Sequence, residues 1–186
     1  MKGNSGISNG REGGDEVFTI TLRPLGLSDI DDFMVWGTDE KVVSRFCTWE
    51  PYASKEEGLN YIKDKILPHP WYKAICLDGR PIGEISVTPK WGNDRCRAEI
   101  GYLLGSKDWG KGIATRAVKM VVDTIFKEWT HLERLEAFVD VENVASQRVM
   151  EKTGFQREGV LRKHYIVKGR TIDEVIFSIL STECES

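Results

Sequence analysis

The stretch that decides the fold is GYLLGSKDWGKGIAT, which runs from Gly101 to Thr115. The apolar run from Ile100 to Leu104 predicts a buried strand, and a loop with two glycines follows it. Next comes an amphipathic pattern typical of a helix. Its apolar face consists of Ile113, Ala117, Val118, Val121 and Ile125. The first N–H groups of a helix have no partner within it, and the helix dipole adds positive charge there. The stretch therefore predicts an anion site, in which glycine lets a phosphate approach the backbone.

Several kinds of phosphate site share this outline. A P-loop requires G-x-x-x-x-G-K-[ST], and here no Gly-Lys pair is followed by Ser or Thr. A dinucleotide fingerprint requires G-x-G-x-x-G, and Thr115 stands where its third glycine would be. A helix that begins at a glycine without binding any ligand is a further alternative.

The nonapeptide WGKGIATRA, Trp109 to Ala117, resembles the acyl-CoA pyrophosphate loop of the GNAT acetyltransferase superfamily, [QR]-x-x-G-x-[GA]. Gly112 and Ala114 match that pattern, whereas Trp109 replaces its first Gln or Arg. This departure resembles the branch that contains the bacterial ribosomal-protein N-terminal (alanine) acetyltransferases.

A second segment, NVASQRVMEKTGF, runs from Asn143 to Phe155. Asn143 is a good N-cap, Gly154 is a good C′ residue, and Phe155 is placed to pack on Met150 as in a Schellman ending. Capping alone explains these residues. The pattern N-x-x-S followed by G-F also resembles the second GNAT signature, and the two signatures occur in the family's order.

The rest of the chain supplies the other elements of that fold. Strands are predicted at 17–25, 71–77, 80–88, 95–104, 135–139, 156–160 and 171–181. Helices are predicted at 28–36, 54–67, 113–126 and 144–152, with a short helical turn over 39–46. The capping box of Ser54 and Glu57 begins the second helix, and Asp78-Gly79 marks a hairpin. The order β-α-α-β-β-β-α-β-α-β-β predicts a mixed α/β protein with the GNAT fold, a mostly antiparallel sheet of about seven strands with about four helices.

Composition limits the other classes. The 186 residues carry a net charge of −3, so we expect no general affinity for nucleic acid or membrane surfaces. Residues 1–16 are expected to be a disordered tail, 17–181 a single domain and 182–186 a second tail. The scattered cysteines (Cys47, Cys76, Cys96 and Cys184) suit a reducing compartment and no metal site. We expect a cytoplasmic protein, with the nucleus possible, that is a monomer or homodimer.

The resemblance implies that acetyl-CoA is the co-substrate. Backbone groups of Tyr102, Leu103 and Leu104 would then meet the pantetheine arm. The residues expected at the pyrophosphate are Gly110, Lys111, Gly112, Ile113, Ala114 and Thr115. The second signature adds Asn143 and Ser146, with Arg148 as a further phosphate contact or a solvated surface residue.

The resemblance also implies acetyl transfer to a primary amine by direct attack, because the family's usual route is a ternary complex. An ammonium has no lone pair, so a base is useful, and Glu99 is the predicted base on its strand. The alternative is that Glu99 pairs with Arg95 or Arg97. Tyr165 is available as the acid, but its spacing does not match the family.

The resemblance implies that the first two helices and the link between them cover the acceptor side. This acceptor link contains Phe46, Trp49, Glu50 and Tyr52. Aromatic walls and an acid suit an amine, whether a protein N-terminus, a polyamine or a small metabolite. The alternative is that Trp49 and Tyr52 only close the core. A non-catalytic acyl-CoA sensor and a nucleotide-binding protein are the other functional classes.

Overall fold

The computed structural model describes residues 18–46 and 49–184, with the backbone alone for Arg45 and Phe46. The predicted tail over residues 1–16, the start of the first strand at Val17, and Cys47 lie outside the described residues. At the other end, the chain continues past the last strand into a 3₁₀ turn over Ser181–Glu183, which overlaps the predicted second tail.

The predicted order of elements is confirmed. The strands are β1 (Ile20–Pro24), β2 (Tyr72–Leu77), β3 (Arg80–Pro89), β4 (Arg97–Leu104), β5 (Arg134–Asp140), β6 (Gln156–Val167) and β7 (Arg170–Leu180). The helices are α1 (Ile30–Gly37), α2 (Glu40–Phe46), α3 (Lys55–Tyr61), α4 (Ile113–Glu128) and α5 (Val144–Lys152). The segment predicted as a helical turn forms α2. A π-helical turn over Ile62–Ile66 prolongs α3. No helix among these described residues is long and apolar enough to cross a membrane.

Local capping chemistry sets the ends of two helices. Asn143 Oδ1 accepts a hydrogen bond from Ser146 N at 3.1 Å. At the other end of α5, Gly154 has a φ of +91° and Phe155 N donates to Met150 O at 3.1 Å, which confirms the Schellman ending. Ser54 Oγ caps α3, but Glu57 reaches back to the N–H of Ala53 rather than to that of Ser54.

The seven strands form one sheet in the order β1-β2-β3-β4-β5-β7-β6. Strands β4 and β5 are parallel neighbours, and all the other pairs are antiparallel. Strand β4 pairs with β5 only from Arg97 to Glu99. Beyond Glu99 the two strands diverge, so the last five residues of β4 have no strand partner on that side.

Helices cover the sheet on both faces. The apolar side of α4 packs on strand residues such as Ala98 and Ile100 and forms the larger core. On the opposite face, α1 and the turn after α3 bury Phe33, Trp36 and Ile62 against Ala74 and Cys76 in a second core. The residues that point toward α1 therefore alternate along β2 and β3 with those that point toward α4.

Glu84 is a carboxyl group inside the second of these layers. It lies on β3 opposite Ala74 and Leu103, and only 8% of the residue is exposed. Burial raises the pKa of Glu84, and the hydrogen bond with Tyr72 offsets only part of that effect.

We expect this buried acid to make stability fall as pH rises. The unfolded chain ionises at the usual glutamate pKa of about 4.3, whereas the folded chain resists ionisation, so alkaline pH favours unfolding. Glu84→Gln removes this ionisation, so its melting temperature should exceed that of wild type by an increasing margin from pH 4 to pH 8. Glu151→Gln, at an exposed position on α5, is the matched control and should follow the wild type. A constant difference between Glu84→Gln and wild type over this range would contradict the expectation.

Candidate active site

The glycine loop lies between the free end of β4 and the first turn of α4. Gly110 has a φ of +76° and Gly112, the N-cap of α4, has a φ of +75°. A Cβ built on either glycine would meet no atom within 4 Å, so both residues border open space. The backbone here leaves room for a ligand to approach the N–H groups at the start of α4.

A cavity of about 370 Å³ opens beside this loop. It contains every sequence-predicted cofactor residue except Lys111. Those that line it are Tyr102, Leu103, Leu104, Gly110, Gly112, Ile113, Ala114, Thr115, Asn143, Ser146 and Arg148. The free end of β4, the glycine loop and α5 thus form three sides of one cleft, which we call the cofactor cleft.

Charge at the cofactor cleft is mostly positive. Arg148 and Lys152 line it from α5, and neither has a hydrogen-bond or ion-pair partner in the described part of the chain. Lys111 Nζ is instead 2.9 Å from Asp108 Oδ1. Asp108 is 4% exposed, and within the described residues its Oδ2 makes no hydrogen bond. The sequence reasoning missed Lys152, although its position four residues after Arg148 places both on one side of α5.

Two aromatic side chains hold the walls of the cofactor cleft. The Tyr102 hydroxyl lies 2.6 Å from Ser146 Oγ, which links β4 to α5 across the gap between the diverging strands. Burial raises the pKa of Tyr102 to about 12, an effect that the Ser146 hydrogen bond partly offsets. The hydroxyl therefore remains protonated at neutral pH. Trp109, in the position of the motif's Gln or Arg, donates from Nε1 to Leu104 O at 2.9 Å and ties the loop to β4.

A second cavity of about 180 Å³ lies between the diverging strands. It shares Tyr102, Asn143 and Ser146 with the cofactor cleft. Strand residues Gly101 and Phe138 form its middle. Its far wall comes from the β6–β7 hairpin, with Tyr165, Val167, Ile172 and Glu174. We call it the transfer cavity, since it leads from α5 through the sheet to the opposite face.

Sequence reasoning found only part of the transfer cavity. Tyr165, weighed as an acid, lines it, but Asp140 and Glu174 were not singled out. The place of Asp140 in this cavity depends on the register of the sheet. Asp140 ends β5, beyond the point where β4 and β5 separate, and it pairs with Glu174 of β7. That pairing joins residues 34 positions apart, and no local pattern signals it.

Glu99 lies outside both cavities. Its side chain is 40% exposed, and Oε2 accepts from Lys90 Nζ at 2.8 Å. The ion-pair alternative named Arg95 or Arg97, but Arg97 pairs instead with Asp94 and Glu136. The role of Glu99 as a base stays a prediction.

The acceptor link also lies apart from the cavities. Among its residues, the side chain of Phe46 lies outside the described atoms. Trp49 and Tyr52 pack on Tyr61, with ring centroids 5.9 and 5.6 Å away, and neither lines a cavity described above. Glu50 is exposed, and its Oε2 lies 3.1 Å from Nζ of Lys168, in the turn between β6 and β7. Through this pair the link reaches the hairpin that walls the transfer cavity.

Clusters of His, Cys, Asp or Glu side chains hold metal ions in proteins. Within the ranges 18–46 and 49–184, no three His, Cys, Asp or Glu side chains lie close enough together to hold an ion. What the arrangement offers is a backbone anion site, an unpaired strand edge, and a small polar cavity where the strands separate.

Comparisons with known proteins agree with this geometry. The family model described as an acetyltransferase (GNAT) domain matches residues 19–156. An uncharacterized N-acetyltransferase, p20, of Bacillus licheniformis is 46% identical over 88% of this chain and 94% of its own length. The putative ribosomal N-acetyltransferase YdaF of Bacillus subtilis is 37% identical over 76% of this chain and 81% of its own.

Solved structures show the same fold. Mycobacterium smegmatis RimJ, in a complex with CoA-disulfide, superposes with a TM-score of 0.73 and 26% identity. The superposition covers 90% of this chain and 84% of that one. The family model covers well over half of the chain, including β4, the glycine loop and β5, so this chain belongs to the GNAT family of acetyltransferases.

Proposed function

We propose that this protein transfers the acetyl group of acetyl-CoA to a primary amine, by direct attack within a ternary complex. The observation that carries the proposal is the free edge of β4, which opens into a cleft that ends at the glycine loop. Acetyl-CoA supplies an activated thioester when it is bound. The protein's own residues have to hold that ligand, polarise its carbonyl and deprotonate the acceptor.

The pyrophosphate end fits the glycine loop. The N–H groups at the start of α4 face the cleft, and the missing side chains of Gly110 and Gly112 leave them accessible. Arg148 and Lys152 would meet phosphate oxygens from the α5 side, since their charges are not used elsewhere in the described chain. Lys111 is shared with Asp108 and would contribute less.

The pantetheine end fits the edge of β4. Backbone groups of Tyr102, Leu103 and Leu104 face the cleft where no strand pairs with them, so an extended amide-bearing ligand would pair there like an added strand. A backbone N–H on this edge would also stabilise the oxyanion that forms when the carbonyl is attacked. The neutral Tyr102 hydroxyl lies where this edge enters the transfer cavity and is a further donor.

The acceptor is proposed at the level of a primary amine. The name of YdaF points to a ribosomal protein, and a protein N-terminus therefore heads the candidates. Polyamines and small metabolites remain as the other candidates. A non-catalytic sensor of acyl-CoA would need the same cleft, but it would have no use for a polar cavity beside the thioester, and we place it second.

We also propose that the protein works in a reducing compartment, most simply the cytoplasm, without a metal or nucleic acid. Cys76, Cys96 and Cys184 are unpaired thiols, which such a compartment preserves.

An acceptor screen tests the proposed function. Purified protein with acetyl-CoA should release CoA in the presence of alanine-starting peptides, spermidine or amino sugars, and mass spectrometry should find the acetylated amine. Acetyl-CoA at a hundredfold excess over its dissociation constant should stabilise the fold by about 2.7 kcal/mol, whereas ATP should not. Tight CoA binding without turnover on any pool would instead identify the sensor.

Gly112→Ala tests the cofactor cleft. The added Cβ should hold the phosphate away from the backbone and weaken CoA binding at least tenfold. Separately, alanine at this positive φ should lower the free energy of unfolding by about 1–2 kcal/mol. Valine is a poorer choice because a β-branched residue is strained further there. Gly79→Ala is the matched control, since Gly79 has a φ of +83° and equally open surroundings in the β2–β3 turn. Equal CoA affinity of the two variants, measured by calorimetry, would remove the loop from the binding site.

Trp49→Ala tests the acceptor link. Because Trp49 packs on Tyr61 and on the small cluster of Val42 and Val43, we expect a lower melting temperature with CoA affinity unchanged in the folded protein. Trp49→Phe should recover most of the loss, since Trp49 Nε1 is buried with no hydrogen-bond partner in the described residues. A raised acceptor KM at unchanged stability would make Trp49 a wall of the acceptor site instead.

A further inference from the structure

Acetyl transfer to an amine requires a group that accepts a proton from the acceptor ammonium. An alkyl ammonium with a pKa near 10 has no lone pair at neutral pH, so it has to lose a proton before it attacks. A group suited to accept that proton must be within reach of the cavity where the two reactants meet. This inference rests on the proposed function and concerns the transfer cavity alone.

Glu174 is the carboxylate with the best access to that cavity. It lies on β7 in the far wall, facing away from α4 and α5, and its residue is 9% exposed. One carboxylate oxygen, Oε2, is 2.6 Å from His164 Nδ1. The other, Oε1, makes no hydrogen bond within the described residues. A nearly buried carboxylate with one free oxygen is an unusual feature for a wall that serves only packing.

Other carboxylates near the site differ from Glu174 in their contacts. Asp140 also lines the transfer cavity and pairs with Glu174 across β5 and β7. Its Oδ1 accepts a hydrogen bond from Glu142 N at 2.8 Å, which closes the turn before α5. Glu99 is bound to Lys90 and lines neither cavity. Among these three acids, Glu174 is the one that both lines the transfer cavity and contacts an imidazole.

His164 connects Glu174 to solvent. Its side chain is 42% exposed, against 12% for that of Glu174. The imidazole stacks on Phe138, with ring centroids 5.3 Å apart, so the wall of the transfer cavity holds the ring in place. The preceding residue, Lys163, has a φ of +50°, and its N–H donates to Asp173 Oδ1 at 2.8 Å. This irregularity in β6, at the register shift between Leu161 and Tyr165, turns His164 toward Glu174.

We propose that Glu174 accepts the proton of the acceptor ammonium in the transfer cavity and that His164 passes it to solvent. One proton leaves the nitrogen for Glu174 Oε1, and the freed lone pair forms the C–N bond at the thioester carbon. As the C–S bond breaks, a second proton from the nitrogen neutralises the CoA thiolate. The products are the amide and CoA thiol. The proton on the Glu174 carboxyl group then passes to His164 Nδ1, the nitrogen that lies 2.6 Å from Oε2, and the half-exposed imidazole releases a proton to solvent.

Glu174→Gln is the first test. It keeps the shape and removes the proton acceptor, so kcat with spermidine or an alanine-starting peptide should fall by about 10²–10⁴-fold, with CoA affinity and melting temperature near those of wild type. The loss should be much smaller with hydroxylamine, whose nitrogen is already neutral at pH 7. Glu151→Gln, an exposed glutamate on α5 that lines neither cavity, is the matched control and should be as active as wild type.

His164→Ala is the second test, and it keeps Glu174 while removing the imidazole beside it. This variant should lose activity by a smaller factor than Glu174→Gln, and added imidazole should restore part of it. A purely structural histidine would show no such rescue. Glu174→Gln should not respond to imidazole, because the group that meets the amine is then missing.

Three outcomes would overturn the inference. If wild type transfers acetyl to a probe and Glu174→Gln remains within a few-fold of it, the proton does not go to Glu174. If Glu99→Gln in the same assay loses 10²-fold or more while Glu174→Gln does not, the proton belongs to Glu99. If wild type releases no CoA with any amine, the proposed function fails and this inference with it, which separates that failure from the first two.

Discussion

The carboxylate of Glu136 joins β4 to β5 at the place where these strands begin to separate. Only 2% of its side chain is exposed, and its Oε1 accepts from Arg134 at 2.7 Å and from Arg97 at 3.1 Å. Arg97 belongs to β4 and Arg134 to β5, so one buried charge holds both strands. Removing one partner of a fully buried ion pair typically costs about 3–5 kcal/mol, and the loss here should be smaller because the Arg97 and Arg134 side chains are 37% and 21% exposed. The short parallel pairing below this point and the open edge above it both depend on the strands being fixed here.

The separation divides the chemistry between two kinds of group. On the α4 and α5 side, the proposed cofactor contacts are largely backbone groups: the glycine loop, the first turn of α4 and the edge of β4. On the opposite side, the transfer cavity presents side chains from β5, β6 and β7. Backbone groups do not change with sequence, whereas side chains do. A family built this way can keep one cofactor site while its members act on different acceptors, and this division is why the fold identifies the co-substrate class better than the acceptor.

The parts of the structure that sequence predicted are those governed by local rules. The helix periodicity after Gly112, the capping of α5 by Asn143 and Gly154, and the hairpin at Asp78-Gly79 each involve residues within about a dozen positions of one another. The sequence-predicted cofactor residues other than Lys111 line one cleft because the resemblance attaches them to those local elements, and their role stays a prediction.

The partner of Glu99 was not predictable, since Lys90 reaches it from a loop whose path depends on tertiary packing. The contact between Glu174 and His164 was not predictable either, because an irregular β6 brings the two residues together. The roles of Trp49 and Tyr52 were ambiguous in the sequence, because hydrophobic cores and the walls of ligand sites both contain aromatic residues.

Gly79 and Gly112 adopt nearly the same backbone angles, with φ values of +83° and +75°. Backbone conformation alone therefore does not distinguish them, and a substitution by asparagine would have a similar conformational cost at either position. Under the proposed function, the requirements at the two positions nevertheless differ. The turn at Gly79 asks only for a residue that tolerates positive φ. Gly112 borders the cofactor cleft as well, so a CoA ligand there would add a steric requirement to the conformational one. A glycine with a positive φ therefore becomes informative about binding only when the space beside it is known.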